Sequence, residues 1–176
     1  MMELPGELFL FNLSLLAITF SAVSALVTLL RHSMGGKLSN FDVFLVTNYA
    51  AHGFVVAIAA ILPSLLAEFG LSLAVVWAIA SGLAAVFLGV KVAYTMLRWR
   101  AITKTSMPFA LVVSFGAQWI AVLLLTANVL ITSIRGVALF ELALTLGLAT
   151  VMWSFVRRIS TLVGDKPSED WDPKRG

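Results

Sequence analysis

Apolar positions fill long uninterrupted stretches of this chain, and polar positions collect in short breaks between them. Charge-free runs cover residues 8–30, 43–67, 69–90 and 105–134, and a fifth run, 136–156, holds a single acid, Glu141. A helix rises about 1.5 Å per residue, so roughly 20 residues cross a hydrocarbon layer about 30 Å thick, where no water satisfies open backbone groups. Each run is long enough to cross. The pattern predicts an all-α fold, a polytopic integral membrane bundle with five transmembrane helices at 8–30, 41–67, 72–97, 107–132 and 136–158. Residues 1–160 make up that bundle, and 161–176, with mixed charge, two prolines and almost no apolar content, read as a short, polar, disordered tail.

The breaks carry turn and capping signals. Gly35 and Gly36 permit a sharp turn, and Ser39 with Asp42 matches a capping box, with Leu38 and Val43 placed as a hydrophobic staple, so helix 2 is expected to restart near Asn40. Gly70 is placed to end helix 2 and Ser72 to cap helix 3, which makes those two helices antiparallel neighbours. The tight connection at 132–136 does the same for helices 4 and 5. Pro63 removes a backbone donor inside helix 2 and predicts a bend or early unwinding, whereas Pro108 suits the first turn of helix 4. The small-residue ladders Ala17-Ser21-Ala25, Ala74-Ala78-Gly82 and Ala143-Gly147 supply faces for close helix contact.

Composition agrees with this picture and narrows the function. Hydrophobic residues are 60% of the chain, charged residues 12%, and mean hydropathy is +1.00, which excludes a soluble globule and leaves no room for a separate water-soluble domain. The formal charge is +3 and the pI about 9.6, but the bases cluster at helix ends and no basic patch interleaves with aromatics, so anionic lipid headgroups and not nucleic acid are the expected partners. If the first break is cytoplasmic, ten of the twelve Lys and Arg residues fall on that side, leaving Arg135 outside and Lys91 within a helix. The positive-inside rule then gives an N-terminus outside, a cytoplasmic C-terminus, and a prokaryotic plasma or inner membrane as the expected location. The first apolar run lacks a basic segment before it and reads as a retained helix. With no cysteine, disulfides and thiolate chemistry are excluded.

Lys91 is the most unusual placement, a base about two turns before Arg98 marks the end of helix 3. Helix 2 enters from the same side and carries Asn48 and His52 one above the other, with Tyr49 beside them. Packed in register, Asn48, Tyr49, His52 and Lys91 would form a polar pocket in the inner leaflet: Lys91 attracting an anion, His52 exchanging a proton, Asn48 orienting either. A second polar contact is expected at the outer end of the last hairpin, where Glu141 pairs with Arg135, folded back through the tight turn, or with Asn128. Gln118 in helix 4 reads as an interhelical hydrogen-bonding group.

Motifs for metal-dependent, serine-nucleophile or phosphate-loop chemistry are missing, and two histidines at different depths with one intramembrane acid make no metal or haem site. An enzyme, a cofactor and a bound metal are therefore not expected. Two functional classes follow: a channel or transporter for a small anionic or proton-coupled solute, assembled as a homo-oligomer, and a non-catalytic accessory or scaffold subunit that binds another membrane protein.

Overall fold

The computed structural model describes residues 4–33, 40–103 and 109–164. Among the described residues five helices follow one another: α1 (Glu7–Ser33), α2 (Asn40–Glu68), α3 (Leu73–Thr103), α4 (Phe109–Leu130) and α5 (Val137–Gly164). All five are long and apolar enough to cross a membrane. α3 and α5 run further than the apolar runs alone suggested, to Thr103 and Gly164, because a helix already started continues through Arg98 and Arg157 into the polar interface at little cost. The glycine turn at 35–36, the Ser39 capping box, the start of helix 4 at Pro108 and the tail from 165 onward lie outside the described residues.

Contacts between helices fix their directions. Gly53 of α2 meets Ala17 and Ser21 of α1, and Ser21 also donates to the Ala50 carbonyl at 3.2 Å, so higher numbers on one helix face lower numbers on the other. The same reversal relates α3 to α4, where Gly89 faces Val122 and Gly82 faces Val129. Consecutive helices are antiparallel, and the α2–α3 turn shows how. Gly70 takes φ +70°, the left-handed conformation that ends a helix, and Ser72 takes the first-cap position, its carbonyl accepting from Val75 at 2.9 Å and Val76 at 3.0 Å.

Among the described residues α5 touches all four other helices, which neither its position in the chain nor its composition announces. Phe140, Ala143, Leu144, Leu148 and Val151 are buried on it, meeting Leu10 and Phe20 of α1, Val56 and Ala60 of α2, Val76 and Leu88 of α3, and Leu125 of α4 within one core. Trp77 stacks obliquely on Phe140 at 5.7 Å between centroids. Two of the ladders are used inside this bundle, Ala17 and Ser21 receiving Gly53 and Ala143 and Gly147 facing the centre, whereas Ala74 of the third is exposed.

Around this core the helices present Leu8, Ile58, Val90, Leu123, Leu142 and Trp153, each more than half exposed. A water-soluble monomer rarely shows apolar patches beyond a few hundred Å². Apolar exposure on every helix, together with five spans of crossing length, makes the chain a multi-pass helical membrane protein. Pro63 does not unwind its helix. α2 continues through it to Glu68, and the proline is buried.

Candidate functional site

Besides their turn at the opposite end, α2 and α3 are tied by a side-chain hydrogen bond in the half of the bundle that carries Arg98, Arg100 and Arg157, here termed the basic face. The Thr95 hydroxyl lies 2.7 Å from Asn48 Oδ1 and 2.8 Å from the Lys91 carbonyl, and its single proton serves one acceptor at a time. The Asn48–Thr95 contact sets the register between antiparallel helices, so His52, four residues after Asn48, and Lys91, four residues before Thr95, stand in one layer. On the outer side of this pair lies a cleft of about 610 Å³, lined by Thr47, Asn48, Lys91, Thr95 and Arg98 together with Val43, Phe44, Ala51 and Tyr94.

Asn48 and Lys91 therefore share one cavity, while the other two residues anticipated with them are placed elsewhere. Tyr49 is buried toward α1 and α5, in an aromatic cluster whose centroids lie 6.4 Å from Phe20 and 5.6 Å from Phe155. His52 is fully buried behind the cleft, its imidazole Nε2 3.6 Å from the position a β-carbon on Gly147 would take. Gly147 leaves room for the ring. The ring stands against the Gly147 backbone, and among the described residues no side chain hydrogen-bonds either imidazole nitrogen. Thr95 and Arg98, which sequence reasoning left aside, complete the cleft; their spacing of four and seven from Lys91 puts all three on one helical face, a signal present in the chain.

The Lys91 ammonium is the main electrostatic feature. Among the described residues its Nζ is buried without a hydrogen-bond partner, and no acid is among those lining the cleft. An unpaired buried ion costs several kcal/mol, so an anion occupying the cleft would offset a penalty the protein alone leaves standing. On the other side of the Asn48–Thr95 pair lies a second cavity of about 20 Å³ among α2, α3, α4 and α5, bordered by Asn48, Thr95, Ser114, Gln118 and Ser154. That volume holds about one water. Ser114 and Ser154 hydroxyls meet there at 2.8 Å, and the buried Gln118 Oε1 has no donor among the described residues.

The outer hairpin is built differently from the expected ion pair. Asn128, fully buried, donates to Ser81 Oγ at 2.8 Å and to the Gly136 carbonyl at 3.1 Å, and accepts from the Gly136 amide at 2.8 Å. Arg135 folds back over the end of α4, donating to the carbonyls of Asn128, at 3.1 Å, and Val129. It thus caps carbonyls that have no helical partner, where the helix dipole favours a cation. Glu141 instead lies against Gly6, whose carbonyl starts the α1 ladder by accepting from Leu10 at 3.0 Å; Gly6 has φ +78°, and a β-carbon there would overlap the carboxylate. A carboxylate beside a helix start is favoured by the same dipole. These groups join elements of the bundle.

Comparison with families of known proteins, with characterised proteins and with solved structures finds no match to this chain. Among the described residues no group of three His, Asp or Glu side chains is arranged to hold a metal ion.

Proposed function

We propose that the protein is a transporter for an anionic solute, which it takes up in the cleft between α2 and α3 on the basic face. The supporting observation is Lys91, which lines the cleft and whose buried Nζ has no hydrogen-bond partner among the described residues; the described lining also holds a second base, Arg98, and the hydrogen-bonding side chains of Thr47, Asn48 and Thr95, but no acid. A positive potential in a low-dielectric setting selects anions. An open channel fits less well, because Leu88, Leu125, Leu144 and Leu148 are packed with almost no exposure between the two ends of the bundle. Passage then requires helices to move, with α5, in contact with every other helix, as the element around which they move. The orientation that suits this reading places the N-terminus outside and the basic face in the cytoplasm of a prokaryotic cell.

The test is flux in proteoliposomes loaded in turn with chloride, phosphate and acetate, comparing the wild-type protein with Lys91→Met. Flux of at least one of these anions, reduced about tenfold or more by Lys91→Met, is the expected result. Equal flux in both proteins would reject the site. Absence of flux from the wild-type protein, together with a stable heterologous membrane partner on purification in native lipid, would favour the accessory-subunit reading.

A further inference from the structure

The cleft has a polar floor and a mostly apolar mouth. The half-buried Lys91 and Asn48 and the buried Thr95 form the floor, whereas Val43, Phe44, Ala51 and Tyr94, with the exposed Thr47, form the sides. Val43, Ala51 and Tyr94 are exposed on the outside of the bundle, beside Phe54, Phe87 and Val90, which are each more than half exposed. The opening is thus continuous with the surface that meets lipid. Arg98 lies seven residues beyond Lys91, about 10 Å nearer the basic face, where headgroups begin.

Size separates two kinds of anion. A volume of about 610 Å³ corresponds to some twenty water molecules at about 30 Å³ each, so a bare inorganic anion fills a small part and leaves the apolar sides to water. An amphiphile fills both parts. Its anionic head meets the two bases, and its chain covers surface that must otherwise be covered by loosely held lipid.

We propose that this cleft binds the phosphate headgroup of an anionic phospholipid from the leaflet on the basic face. Lys91 and Arg98 hold the phosphate and its neighbouring oxygens, Asn48 and Thr95 supply hydrogen bonds, and an acyl chain leaves sideways past Ala51 and Tyr94 along Phe54 and Phe87. This assignment rests on the cleft being an anion site and is independent of whether the anion is moved. Free phosphate shares the recognition chemistry, and the lateral apolar mouth is what favours the lipid.

The experiment measures ligand retention by the purified full chain in detergent using native mass spectrometry, with phosphatidylglycerol, phosphatidylcholine and inorganic phosphate as separate probes. Lys91→Met and Arg98→Gln are compared with Arg100→Gln, which removes the same charge two residues away from a side chain outside the cleft. Phosphatidylglycerol is expected to bind about tenfold or more tightly than phosphatidylcholine, and each cleft variant is expected to lose about tenfold, the worth of one charge-assisted hydrogen bond. Arg100→Gln should change binding less than twofold. Arg98 is exposed, so its variant keeps the test valid should Lys91→Met fold poorly. Equal losses in all three variants, or equal retention of the two lipids, would overturn the lipid assignment. Phosphate binding that depends on Lys91 while phosphatidylglycerol is ignored would overturn it and leave the anion site standing. Indifference of every probe to Lys91 and Arg98 would remove both.

Discussion

Gly53 sits where α1 and α2 approach most closely, and substituting it with alanine measures how much of the bundle depends on that approach. A β-carbon at this position would lie 2.7 Å from the Ala17 carbonyl oxygen and 3.3 Å from Ser21 Cβ, and would overlap Ser21 Oγ. Carbon and carbonyl oxygen normally approach to about 3.3 Å, so α1 must retreat by roughly 0.6 Å or the local backbone must distort. The Ser21 hydroxyl can rotate away, but the Ala17 carbonyl is held in its helix. Overpacking of this kind costs about 2–3 kcal/mol, and losing the Ser21 bond to Ala50 adds about 0.6 kcal/mol. Alanine returns about 1 kcal/mol of helix propensity, leaving a net loss of about 2 kcal/mol for Gly53→Ala. The assay is equilibrium unfolding by SDS titration in mixed micelles, read by circular dichroism. Gly116 is the control, since a β-carbon there would meet nothing within 4 Å, and Gly116→Ala should be neutral or slightly stabilising. Adding Ser21→Ala to Gly53→Ala should recover part of the loss, because the hydroxyl conflict goes and the carbonyl conflict stays. A Gly53→Ala protein as stable as wild type would refute the close α1–α2 contact.

Three further outcomes follow from other contacts. Asn128→Ala deprives Ser81 Oγ and both polar groups of the Gly136 peptide of their partner, so it should lose about 2–4 kcal/mol in the same titration; a loss below about 1 kcal/mol would mean water replaces the side chain. Phe140→Ala at the fully buried centre of α5 should cost about 3–5 kcal/mol, while Leu142→Ala on the lipid-facing side of the same helix should be near neutral, and similar costs would remove α5 from the centre. The chain contains no cysteine, so Thr132→Cys and Arg100→Cys give clean labelling sites at opposite ends of the bundle. An impermeant maleimide should label Thr132→Cys on intact cells and Arg100→Cys only after permeabilisation; the reverse pattern would invert the proposed orientation.

Much of the architecture was legible in the residues because a membrane imposes few choices. Long charge-free runs have to be helices when no water can satisfy the backbone, and Gly70 and Ser72 mark a turn because one tolerates a left-handed conformation and the other suits a helix start. Which side of each helix faces which neighbour was not legible. In water, an apolar stripe against a polar one names the buried face. Here lipid and core are equally apolar, so Leu142 at the surface and Leu144 in the core read alike. Asn48 and Lys91 were expected together and do line one cleft, yet Tyr49 and His52 on the same helix turn inward, where Phe155 and Gly147 of α5 receive them. Arg135 illustrates the same limit: its charge pointed to Glu141, but the turn carries it onto the open carbonyls of α4, and the parallel packing of α5 on α1 takes Glu141 to Gly6. The sequence by itself determined the medium, the number of crossings and the turns, since these depend on local hydropathy and backbone freedom. Tertiary structure decided the central place of α5 and the composition of the cleft, since these depend on shape and register between apolar surfaces that composition does not distinguish.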